Sequence, residues 1–131
     1  MPPLLPIAAL NRTRGTCLAE DVRVARNYWT RLRGLVGTNK SAFAPGQALW
    51  IIPCRGVHTL AMNFPLDLIY LDSVSTVVHL QESVKPWRFA AVSLRAASVL
   101  ELPAGTIEKS GTRVGDKIEI VAANHPEEMA A

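Results

Sequence analysis

The sequence predicts a mainly β protein, a compact antiparallel β sandwich or barrel with one or two short helices. Three observations lead there. About seven apolar runs of strand length follow one another along the chain. Nine prolines and eight glycines in 131 residues divide it into short segments joined by turns, as in an all-β domain. A hydrophobic share of 49% against 19% charged residues belongs to an ordered chain; one of this length buries a core without disulfide or metal staples.

Residues 1–16 read as a flexible lead, Pro-rich and then basic, before a single β-rich domain over 17–122 and a polar tail over 123–131. Within residues 17–25, Val22 and Val24 alternate with Arg23, a short strand with one wet face. Tyr28, Leu32, Leu35 and Val36 then fall on one stripe at helical period, with Asn27 as N-cap and Gly37 just past the end. Gly34 costs that helix up to about 1 kcal/mol against Ala, which a close packing contact would explain. Pro45-Gly46 marks a turn, and residues 48–52 form a buried strand stopped by Pro53.

Residues 57–62, 66–71 and 76–80 are the next strands. The last two are joined by a hairpin turn at Asp72-Ser73-Val74-Ser75, with Asp72 capping it. Residues 82–89 read as irregular, 98–102 as a strand, and 106–110 as a short helix ended by Gly111. Gly115-Asp116 is a turn before a cleanly alternating last strand over 117–121.

Charge and cysteine content narrow the function classes. A net charge of +3 is too small to argue for nucleic acid. Arg12, Arg14, Arg23, Arg26, Arg31 and Arg33 cluster early, but no nucleic-acid module accompanies them. Two cysteines, Cys17 and Cys54, are too few for a disulfide framework and are expected as free thiols. The apolar run over residues 4–10 is broken by Pro6 and lacks the basic start of a signal peptide. No stretch approaches the roughly 20 apolar residues of a membrane span. A cytoplasmic location is expected.

The segment from Cys54 to Asp72 concentrates the candidate chemistry. His58, Met62, Asp67 and Asp72 stand where a plain core strand would carry simple aliphatic residues. A polar group buried unpaired costs about 1–3 kcal/mol, so each needs a partner or a task. If residues 57–62 and 66–71 pair as a hairpin, His58 and Asp67 face each other and the carboxylate fixes the imidazole tautomer. The bland alternative is a satisfied polar pair inside the core. Glu101, between Leu100 and Leu102, points away from both, toward solvent or toward a salt bridge with Arg33 or Arg88. Trp87, between cations Lys85 and Arg88, suits either an interface anchor or a plug at one barrel end.

Other chemistries find less support. Four residues of extended strand separate Cys54 from His58 by roughly 13 Å, too far for two ligands of one metal ion with bonds of about 2 Å. His79 and His125 lack any paired spacing. Nucleophilic catalysis by Cys54 would have only His58 as base, and no Gly-rich phosphate loop is present. No metal and no cofactor are expected.

Several blocks in order resemble the bacterial and archaeal family called domain of unknown function 192, over about residues 22–121. They are Arg31-Leu32-Arg33-Gly34-Leu35, then Cys54-Arg55-Gly56-Val57-His58-Thr59 with Met62, then Phe64-Pro65-Leu66-Asp67 with Asp72. Pro86-Trp87-Arg88, the run Val99-Leu100-Glu101-Leu102-Pro103-Ala104-Gly105, and Gly115-Asp116 complete the set. Asn63 stands where the family often has Lys, and Val36 where it often has Met. The resemblance implies a mainly β, jelly-roll-like fold and no assigned activity.

The first reading of function is a non-catalytic binding module for a small polar or anionic ligand or a protein segment. Its pocket would be lined by His58, Met62, Asp67 and Trp87, with Arg31 or Arg33 at the rim and Glu101 as a further candidate. The alternatives are a hydrolase- or isomerase-type enzyme with His58 as general base oriented by Asp67, and a scaffold whose signature residues only hold the fold. Oligomeric state is left open by the sequence.

Overall fold

The computed structural model describes residues 7–26, 44–54, 64–85 and 92–122. Eight strands and one short helix lie within them: β1 (Ile7–Asn11), β2 (Thr16–Ala19), β3 (Asp21–Ala25), β4 (Gln47–Ile51), β5 (Leu66–Leu71), β6 (Val77–Val84), β7 (Ser98–Pro103), α1 (Thr106–Ser110) and β8 (Ile118–Ala122). They form a three-stranded sheet in the order β2-β1-β8 and a five-stranded sheet in the order β3-β4-β7-β5-β6. All neighbours are antiparallel except β3 and β4. The two sheets pack as a β sandwich, in line with the fold class read from the sequence.

Alternation along the strands decides which side chains meet between the sheets. Ala9, Leu18 and Ile118 of the three-stranded sheet pack on Val22, Ala48, Ile69, Leu71, Leu100 and Leu102 of the five-stranded one, with Ile107 of α1 closing the layer. The opposite face of the large sheet is also covered. There Leu49, Ile51, Leu66, Leu68, Tyr70 and Val99 form a second buried cluster with Phe64 and Ala96. This double burial explains why β5 is buried at every residue, and why it reads as an unbroken apolar run.

A polar network locks the sandwich at the β1–β2 hairpin. The buried Asn11 amide donates to Thr112 Oγ1 and Asp116 Oδ2, both at 3.0 Å. Arg14 donates to both Asp116 oxygens, and the Arg113 N–H to Oδ2. Burial by itself would raise the Asp116 pKa, but the bonds from Arg14, Asn11 and Arg113 outweigh it and bring the value down to about 2. The Gly115-Asp116 block is therefore a structural joint.

Several expectations need correction. Residues 7–11, assigned to a flexible lead, form the central strand of the small sheet, paired with β2 and β8. Residues 17–25 are two strands, because the chain changes sheets at Glu20, where Glu20 and Asp21 both donate to the Gly46 carbonyl. Strand β6 runs to Val84, so residues 82–84, expected to be irregular, belong to a strand that carries a bulge there. The expected helix at 27–37, the strand at 57–62 and the tail at 123–131 lie outside the described residues. The capping role of Asp72 holds: Oδ1 accepts from Val74 and Thr76, and these bonds keep its carboxyl below the usual range.

Candidate functional site

The hairpin of β5 and β6 positions the site. A regular ladder continuing from Leu71↔Val77 would set Tyr70 against Val78. Instead an extra residue on β6 shifts the register, and Tyr70 faces His79 while Leu68 faces Gln81. This is a β-bulge, a feature that re-aims side chains and concentrates next to functional sites. It turns His79 and Gln81 onto the face of Tyr70, away from the small sheet. The Tyr70 hydroxyl donates to Gln81 Oε1 at 2.9 Å. The His79 ring meets the Tyr70 ring edge to face, with centroids 5.0 Å apart.

Glu101 reaches the same face from β7. It pairs in register with Leu49 on one side and Leu68 on the other, and it is fully buried. Half-buried Cys54 packs against the same cluster. Burial, and then the nearby Cys54 and Glu101, push the Tyr70 phenol pKa far up. Tyr70, His79, Gln81, Glu101 and Cys54 thus bring a phenol, an imidazole, an amide, a carboxylate and a thiol onto one sheet face.

Asp67 is placed differently. It pairs with Leu102 and lies on the face turned toward the small sheet, opposite to Glu101. Oδ1 accepts the Ser83 N–H at 2.9 Å. Oδ2 accepts the N–H groups of Gly105 at 3.1 Å and Ile107 at 2.9 Å. One carboxylate thereby holds a second bulge in β6, where Ser83 has φ 51°, and satisfies the start of α1, where donors would otherwise be orphaned.

Of the residues expected to share a pocket, Asp67 and Glu101 are described, and the sheet separates them. The expectation that Glu101 faces solvent is overturned, because the residue is fully buried among the side chains of the outer cluster. His58, Met62, Trp87, Arg31, Arg33 and Arg88 lie outside the described residues. Cys17 is exposed, and neither it nor Cys54 is in a disulfide. Among the described residues no group of three His, Cys, Asp or Glu side chains is placed to hold a metal ion. Sequence reasoning missed Tyr70, His79 and Gln81, whose alignment depends on the bulge.

A shallow cleft of about 550 Å³ opens elsewhere, between β2, the Pro45-Gly46 turn and the residues leading into α1. It is open to solvent, and partial desolvation followed by Glu20 raises the pKa of the Cys17 thiol on its wall.

A small β sandwich with a buried polar cluster on one sheet face defines the class of protein. The family model DUF192, described as Uncharacterized ACR, matches residues 9–120, and the chain belongs to that family. A UPF0127 protein of Pyrococcus furiosus is 34% identical over 115 residues, which cover 84% of this chain and 95% of that protein. A UPF0127 protein of Thermococcus sibiricus is 30% identical over 115 residues, covering 84% and 72%. A crystal structure of a protein of unknown function from Novosphingobium aromaticivorans superposes with a TM-score of 0.70 at 17% identity, covering 87% of this chain and 83% of that one; this likeness concerns the fold alone. Among the described residues no helix is long and apolar enough to cross a membrane.

Proposed function

We propose that the chain is a non-catalytic binding module that holds a small polar ligand on the outer face of its five-stranded sheet. The observation that supports this is the fully buried Glu101 sharing a face with Tyr70, Gln81 and His79. Ligand sites are mostly apolar surfaces with a few convergent polar groups, and Leu49, Leu68 and Val99 supply the apolar ground here. The carboxylate favours a ligand that donates hydrogen bonds over an anionic one. What weighs against the hydrolase or isomerase reading is Asp67, whose bonds to three backbone N–H groups suit a framework role better than that of orienting a base.

The test is a thermal-shift screen of the parent chain and Glu101→Gln against a metabolite library. A compound that raises the melting temperature of the parent but not of Glu101→Gln, with both proteins melting alike when free, supports the site. A library without hits, or a Glu101→Gln protein that melts far below the parent, favours the scaffold.

A further inference from the structure

Among the described residues four large apolar side chains are exposed: Val74 at 62%, Val92 at 70%, Leu94 at 80% and Val114 at 60%. Scattered singly they would need no explanation. Their placement is not scattered. Val74, Leu94 and Val114 each occupy a central position of a hydrogen-bonded β-turn, closed by Ser75 N–H to Asp72 O, Ala96 N–H to Ser93 O and Asp116 N–H to Arg113 O. Such positions ordinarily take Gly, Pro, Asn, Asp or Ser.

The three turns gather at one end of the sandwich. Val77 donates to the Asp116 carbonyl and Gly115 to the Val77 carbonyl, joining the first turn to the third. Ala97 donates to the Leu71 carbonyl, bringing the second beside the first. Each apolar tip also has a cation next to it. Lys117 Nζ donates to the Val74 carbonyl, Arg95 follows Leu94, and Arg113 precedes Val114. All three cations are on exposed residues.

We propose that this end of the sandwich docks on an anionic lipid bilayer, with Val74, Leu94 and Val114 dipping below the headgroups and Lys117, Arg95 and Arg113 meeting the phosphates. An apolar tip flanked by cations matches the layering of a bilayer, where anionic charge lies directly above a hydrocarbon layer. A protein partner would instead have to offer three separate sockets to three convex tips.

The experiment is co-sedimentation with vesicles of phosphatidylglycerol mixed equally with phosphatidylcholine, against vesicles of phosphatidylcholine alone. The full chain is compared with a Val74→Ser, Leu94→Ser, Val114→Ser variant; Ser suits turn positions, so its melting temperature should match the parent's. Binding of the parent to the anionic vesicles only, weakened by salt, and reduced by about tenfold or more in the variant, supports the proposal. Absence of binding to anionic vesicles overturns it. So does equal binding by the folded variant, which would reduce the effect to net charge. Self-association that depends on the tips without vesicle binding also overturns it, and would assign the end to a second copy of the chain.

Discussion

The two faces of the five-stranded sheet both bury a carboxylate, and the comparison between them separates framework from site. On the face toward the small sheet, Asp67 accepts from three backbone N–H groups and joins β5, β6 and α1. On the outer face, Glu101 sits with side chains of varied chemistry, among them the Tyr70–Gln81 pair and the His79 ring. Both acids are fully buried, so burial does not distinguish them. The kind of neighbour does. Backbone donors fix a chain path, whereas a set of side chains can be rearranged around a bound molecule.

The largest test of this contrast is Asp67→Ala. It strands three backbone donors, and a loss of about 3–5 kcal/mol is expected by chemical denaturation. A loss below about 1 kcal/mol would remove the framework role. Asp116→Asn, in the joint between the hairpin and β8, should cost about 1–3 kcal/mol by the same measurement.

The same joint gives a pH signature. Asp116 has its folded pKa lowered from 3.8 to about 2. Its contribution is therefore complete above the unfolded value and is lost as pH falls from 3.8 through about 2. Asp72 and Glu119 are lowered as well and act in the same direction. Denaturation followed over that range should show a shallower acid decline in Asp116→Asn than in the parent.

Smaller effects are expected on the outer face. Tyr70→Phe loses one hydrogen bond and should cost about 0.5–1.5 kcal/mol. Because burial raises the folded pKa of this phenol, its stabilisation persists below the ordinary tyrosine value and fades as pH climbs past it. Ultraviolet titration should show a phenol ionising only as the protein unfolds, and Tyr70→Phe should lack that phase. Glu101→Gln should change stability least, by less than about 1 kcal/mol, if that face is a site and not a prop.

Much of the fold was legible because local signals coincided with element ends. The run Leu66–Leu71 is bounded by Pro65 and the Asp72 turn, and Thr106–Ser110 is bracketed by Gly105 and Gly111, both left-handed. Strand β1 was hidden because its partners are β8, at the far end of the sequence, and β2 across a basic hairpin. Nothing beside the N-terminal prolines announces that pairing. The candidate site was legible only in part. Glu101 was marked as out of place in an apolar run, but alternation along one strand does not say that both faces of its sheet are buried. Tyr70, His79 and Gln81 became neighbours through a bulge that no turn motif encodes.

The pairing of β1 with β8 has a practical consequence. Ile7 and Ala122 are direct cross-strand partners, so β1 and β8, the first and last of the described strands, open side by side, at the end of the sandwich remote from the Val74, Leu94 and Val114 turns. A short linker bridging those two positions would give a circularly permuted molecule with the same core. A reporter fused at either position would hang from the far pole and leave the three tips unobstructed.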